Sequence, residues 1–125
     1  MIILDTNAVL RFFLGDIPEQ LSKVQHLLET EKSIYLPDVV LPEIEYVIFK
    51  KYGQNRDAAI QLFKSLVTLP NIKTTMQLKL AVRIYEDSKL DMADCIIAAY
   101  AQKGKLASFD KDLLKVSGIK GYWKV

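Results

Sequence analysis

An α/β fold, with helices covering both faces of a central parallel sheet in a three-layer α/β/α sandwich, is what this sequence predicts. Three observations predict it. A short apolar run at 1–4 ends abruptly in polar residues, and further short strand-like segments stand at 33–36, 72–74 and 105–108. Longer stretches of helical periodicity separate them, and strands alternating with helices argue for a parallel sheet. Half of the 125 residues are apolar and about a quarter charged, enough for one core and one domain over residues 1–125.

Taken in order, Met1-Ile2-Ile3-Leu4 reads as a buried first strand and residues 7–14 as a helix. Asp16-Ile17-Pro18-Glu19 then opens a second helix, with Asp16 as N-cap, Glu19 three residues on and Pro18 harmless in the first turn. Ser33–Leu36 is the second strand, ended by Pro37. A helix from about Asp38 to Tyr52 is stopped by Gly53. Asn55 caps the next helix, which runs to about Thr68 and closes at Pro70-Asn71. A short strand at 72–74 precedes a helix of about 76–87. The apolar helix of about 92–103 ends at Gly104, and the strand at 105–108 follows it. A short helix spans Lys111–Val116, and Tyr122–Val125 is a candidate edge strand.

Composition removes several classes of function. The single cysteine, Cys95, precludes a disulfide framework and fits a reducing compartment. One histidine and one cysteine exclude a His/Cys-rich zinc site, and one histidine assembles no convincing Ser-His-Asp set. His26 itself reads as a solvent-side residue of a surface helix. The five glycines are scattered, so no phosphate-cradling loop is present. No apolar run is long enough to span a bilayer and the N-terminus carries no signal-like stretch, so no membrane partner and a cytoplasmic location are expected. Net charge is only +2, but the six lysines from Lys103 onward face just two aspartates. A polyanion would be drawn to that quarter, though a solvated lysine surface is the simpler reading.

Four carboxylates carry the chemistry. Asp5 and Asp110 each follow a predicted strand, on the sheet edge where ligands bind in such folds. Each also reads as an ordinary helix N-cap. Thr6 and Asn7 beside Asp5 add groups able to orient a carboxylate. Asp94 lies in a helix that is apolar almost all round (Met92, Cys95, Ile96, Ile97, Ala98, Ala99), which predicts burial and a need for partners. Its place in the first turn favours the ionised form through the helix dipole, and Asp91 reads as the cap of that helix. Glu43 and Glu45 flank the apolar sector of their helix at similar angles. Position near the helix start favours Glu43, and Glu45 stays open. Asp112 reads as a surface residue. Gathered in one pocket, such acids take up protons or bind a hard cation, Mg²⁺ or Mn²⁺, which acts on phosphate esters.

Four segments in series, Ile3-Leu4-Asp5-Thr6-Asn7, Pro42-Glu43-Ile44, Asp91-Met92-Ala93-Asp94-Cys95 and Ser108-Phe109-Asp110-Lys111-Asp112, resemble the PIN-domain ribonucleases. Within them the chain is most similar to small VapC-type toxins of prokaryotic toxin–antitoxin pairs. The resemblance implies a strand order of 3-2-1-4-5 and Mg²⁺- or Mn²⁺-dependent endonucleolytic cleavage of RNA leaving a 5′-phosphate. It also implies a homodimer silenced by a protein antitoxin. Matched position by position, the metal-site acids fall on Asp5, Glu43, Asp94 and Asp110, which resolves the tie in favour of Glu43. Asn7 falls on the position supporting the first aspartate, and Ser108 on the small hydroxyl residue two before the last. The second acid directly follows Pro42, which removes one N–H from the first helical turn and puts the helix start in question.

Two rivals stand beside this reading. One is phosphoryl transfer through an aspartyl intermediate on Asp5, which would want a second aspartate where Asn7 stands and a lysine for which only Lys111 offers. The other is a PIN-like binding module without turnover, against which the presence of all four acids counts.

Overall fold

The structure is a computed structural model that describes residues 1–123. Its residues fall into two compact units, Met1–Thr74 and a second beginning at Thr75.

The first unit holds three strands, β1 (Ile2–Ile3), β2 (Ile34–Tyr35) and β3 (Ile72–Lys73), with helices α1 (Thr6–Leu14), α2 (Pro18–Thr30), α3 (Val40–Lys50) and α4 (Arg56–Thr68). Both strand pairs are parallel and the order is β1-β2-β3, with Ile2 opposite Ile34 and Ile34 opposite Ile72. This is the predicted α/β class, a parallel sheet flanked by helices, and it accords with a three-layer sandwich. The order is the 3-2-1 half of the one the family resemblance implies. Each strand is only two residues long, but its ladder runs on: Leu4 N–H donates to Tyr35 O at 2.9 Å and Leu36 N–H to Lys73 O at 2.9 Å. Thr74 Oγ1 closes the edge by donating to Leu36 O at 2.9 Å. Ile34, Leu36, Leu41, Ile44, Ile48 and Phe63 are buried in the core.

Two expectations fail here. Met1–Leu4 is not a buried strand: Leu4 is buried, but Met1, Ile2 and Ile3 are exposed. β1 is an end strand of this sheet, so only one of its edges has a ladder partner among the described residues. Nor does Asp16 cap α2. Both of its carboxylate oxygens take the Arg11 Nη1 donor at 3.0 Å, and Ile17, with no side-chain acceptor, occupies the cap position.

Caps fix the other helices where the sequence places them. Asn55 Oδ1 accepts from Ala58 N–H at 2.9 Å to start α4. α3 ends with Gly53 at φ +61°, and Gln54 N–H reaches back to Ile48 O at 2.9 Å, a glycine-terminated reversal that L side chains resist. Pro42 does no harm to α3. It is the third residue of the helix, where no intrahelical N–H bond is due, and Glu43 N–H makes the first one, to Val39 O at 3.3 Å.

The second unit contains α5 (Met76–Asp87), α6 (Met92–Ala101) and α7 (Lys111–Leu114). α5 packs on α6. Ala98, Ala101, Leu106 and Leu113 make a small buried cluster, against which Ile84, Leu90 and Ile119 pack. Of the strand expected at 105–108, only Leu106 enters a ladder, as an isolated parallel bridge to Gly121. Leu106 N–H donates to Lys120 O and Tyr122 N–H to Leu106 O, both at 2.8 Å. The edge strand expected at 122–125 lies partly outside the described residues. α6 is not apolar on every side in the folded chain, because Ile97 and Tyr100 on its outer face are exposed. No described helix is long and apolar enough to cross a membrane.

Replacing Asn55 with Ala removes the α4 cap bond and is expected to cost about 1 kcal/mol, with Asn55→Asp near neutral. Urea unfolding of the three proteins measures it.

Candidate active site

In the first unit, two of the four singled-out acids follow adjacent strands. Asp5 comes directly after the last paired residue of β1, and its extended backbone (φ −93°, ψ 155°) makes it the N-cap of α1. Its Oδ2 accepts from Asn7 N–H at 3.3 Å, leaving Oδ1 without a partner among the described residues. Asn7 therefore supports Asp5 through its main chain, while its side chain and the Asp5 carboxylate face solvent. Thr6 is half-buried at the first position of α1. Glu43 lies in the first turn of α3, which packs on α1, and is exposed. Glu45, two residues on, is only 8% exposed, the one buried charged side chain among the described residues. It sits on the buried face of α3 between Leu41 and Ile48, one turn either side, which the helical wheel alone did not separate from Glu43.

In the second unit, Asp91, Asp94 and Asp110 form one electrostatic neighbourhood. Asp91 Oδ1 caps α6 by accepting from Asp94 N–H at 2.8 Å, as its position predicts. Asp110 Oδ1 caps α7 by accepting from Asp112 N–H at 2.9 Å and Leu113 N–H at 3.1 Å. Ser108 Oγ in turn accepts from Asp110 N–H at 3.0 Å, so the hydroxyl two residues upstream sets the backbone that carries this carboxylate. Asp110 Oδ2 has no partner among the described residues.

Asp94 is half-buried, with buried Ala98 and Ala101 on its own helical face. Burial first, then the charges of Asp91 and Asp110, raise its carboxyl above the usual aspartate range. The helix dipole alone favours ionised Asp94, whereas gathered acids are expected to take up protons. Desolvation and two like charges outweigh that dipole, worth only about 0.3–1 kcal/mol in the first turn. Asp112, exposed on α7, donates its N–H to Asp110.

Neither unit by itself gathers three His, Cys, Asp or Glu side chains into a metal-holding cluster among the described residues. The donors on offer are carboxylate oxygens, which is the chemistry of a hard divalent cation. A cavity of about 720 Å³ in the second unit is lined by Arg83, Asp87, Lys89, Asp112 and Lys115 over Ile84 and Leu90. None of Asp91, Asp94 and Asp110 lines it, so it is separate from the acidic neighbourhood. Missed by the sequence reading were the ring contacts around Asp110: Phe109, the residue beside it, stacks on Trp123.

The PIN-domain family model matches residues 2–119. The chain belongs to the PIN-domain family. Members of this family are generally nucleases, so the matched residues, drawn from both units, carry a nuclease fold. No curated protein matches the chain.

A raised carboxyl in the folded state means that the folded chain holds its proton more tightly than the unfolded one. That contribution to stability is complete below the unfolded aspartate pKa of about 3.9 and is lost as pH rises through the higher folded value. Asp94→Asn is therefore expected to raise Tm at pH 7, with the advantage shrinking towards pH 4. Thermal unfolding of both proteins across that range, without divalent cations, checks the sign.

Proposed function

We propose that this PIN-domain protein is a divalent-cation-dependent endoribonuclease and the toxin of a toxin–antitoxin pair, with residues 1–125 acting as one domain. The observation that carries the reading is the PIN-domain match over residues 2–119, which takes in Asp5, Glu43, Asp94 and Asp110. Asp94, half-buried and raised first by desolvation and then by the charges of Asp91 and Asp110, is an acid that a bound cation would hold ionised.

Asp5 and Asp94 are the principal ligands in this reading, and Asp110 completes the set with Oδ2, which has no partner among the described residues. Glu43, exposed at the start of α3, is a further ligand or positions the attacking water. Ser108 holds Asp110 in place, and Asn7 and Thr6 set the turn that presents Asp5. When bound, Mg²⁺ or Mn²⁺ supplies Lewis acidity to the phosphodiester and lowers the pKa of a water. RNA as substrate and an antitoxin partner follow from what PIN-domain nucleases act on and often pair with; the homodimer follows from the likeness to small toxins.

Purified protein is expected to cut total cellular RNA with Mg²⁺ or Mn²⁺ and not with EDTA. Asp94→Asn and Asp5→Ala should each lower the rate on the order of 100- to 1,000-fold, as read from fragment ends on a gel. Wild-type cleavage by either variant would refute the assignment. Co-expression with the product of a short adjacent reading frame tests the toxin role, since relief of growth arrest is the expected outcome.

A further inference from the structure

Phe109 and Trp123 stack face to face, with ring centroids 4.6 Å apart and planes 9° from parallel. Tyr122 meets Trp123 edge-on at 5.5 Å and 87°. The rings are nonetheless in water: Phe109 is 84% exposed, Tyr122 62% and Trp123 47%. Burial of apolar area does not explain a stack left this open, because Phe109 offers most of its surface to solvent.

Both ends of the stack are braced. Phe109 stands between Ser108 and Asp110, whose N–H is held by Ser108 Oγ at 3.0 Å. Trp123 follows the Leu106–Gly121 bridge, tied by Tyr122 N–H to Leu106 O at 2.8 Å. Along the same segments Lys105, Lys111, Lys115 and Lys120 are exposed, and none pairs with a carboxylate among the described residues. Exposed rings flanked by unpaired ammonium groups are the composition of a surface for single-stranded nucleic acid. Bases stack on the rings while cations take the phosphates. A duplex already stacks its bases within itself and offers the rings no face.

We infer that Phe109, Trp123 and Tyr122 form a base-stacking platform that seats an unpaired nucleotide of single-stranded RNA beside Asp110. The inference rests on the nuclease reading above and assigns to these three rings the task of holding a base of the strand. The platform acts on binding, so its loss raises KM and leaves kcat for the bound strand little changed.

Trp123 is the only tryptophan in the chain, so its emission reports on this platform alone. The full chain is titrated in EDTA with a short uridine oligoribonucleotide, with an abasic ribose-phosphate oligomer of equal length, and with an RNA duplex. Saturable quenching by the uridine strand, and much weaker quenching by the other two, is the expected result. Phe109→Ala should weaken that binding roughly 5- to 150-fold, while Phe109→Tyr retains it. The exposure of Phe109 makes both variants safe for folding, and far-UV circular dichroism verifies that.

Equal quenching by the abasic oligomer, or an unchanged Kd in Phe109→Ala, would overturn the platform. So would a Trp123 emission maximum or quantum yield that changes with protein concentration without RNA, which would make the rings a contact between copies. Base-dependent quenching without any cleavage in Mg²⁺ or Mn²⁺ would leave the platform standing and sink the nuclease reading. Cleavage without base-dependent quenching would do the opposite.

Discussion

The cap bonds that start α6 and α7 are the constraint on which the acids of the second unit depend. The Asp91 carboxylate is held against the Asp94 main chain, at 2.8 Å from its N–H. Asp110 cannot swing away either, since two α7 N–H groups hold its Oδ1 and Ser108 Oγ holds its own N–H. The bonds that start two helices thus also fix the Asp91 and Asp110 carboxylates, whose charges add to burial in raising Asp94. Two such charges about 4 Å apart at an effective dielectric near 20 would repel by about 4 kcal/mol. A fold that pins like charges together spends stability on them, and a bound cation or proton is what returns it.

Capping and chemistry are therefore not competing explanations for these residues. A carboxylate has two oxygens, and a cap bond occupies one. Asp5 gives Oδ2 to Asn7 N–H and keeps Oδ1; Asp110 gives Oδ1 to α7 and keeps Oδ2. The cap bond sets the direction of the remaining oxygen, which a free side chain on a loop could not hold. The same economy appears in the sheet, where Asp5 directly follows the last ladder bond of β1 and inherits its rigidity.

The helices were legible because their ends are written locally. Asn55, Gly53 and Asp91 act within a few residues of where they stand, so the sequence shows both cause and effect. What failed was non-local. Asp16 looks like a cap until Arg11, from the preceding helix, claims both oxygens. The apolar run of α6 predicts burial on all sides, yet only packing decides that Ile97 and Tyr100 stay outside. Dipole reasoning for Asp94 sees its own helix and not Asp110, sixteen positions away in the chain. Glu43 and Glu45 are alike on the wheel and opposite in the fold, one exposed and one buried. The aromatic stack was invisible for the same reason, since Phe109 and Trp123 lie on separate segments that the Leu106–Gly121 bridge helps bring together.

An acidic site for a polyanion faces a physical conflict, because the carboxylates that hold a cation repel the phosphates they must approach. Lysines relieve it only in part: their attraction is screened within about 8 Å at physiological ionic strength, and it reads no feature of the chain it holds. Stacking on a ring depends on neither charge nor salt. It grips the base, the one part of a nucleotide that carboxylates do not repel. A ring beside Asp110 thus separates the two tasks, with Phe109 retaining the strand through its base while the acids address its backbone. The stack also discriminates, since only an unpaired base can present a face to it. On that logic the exposure of Phe109, costly for a residue of its kind, is what the chemistry next to it requires.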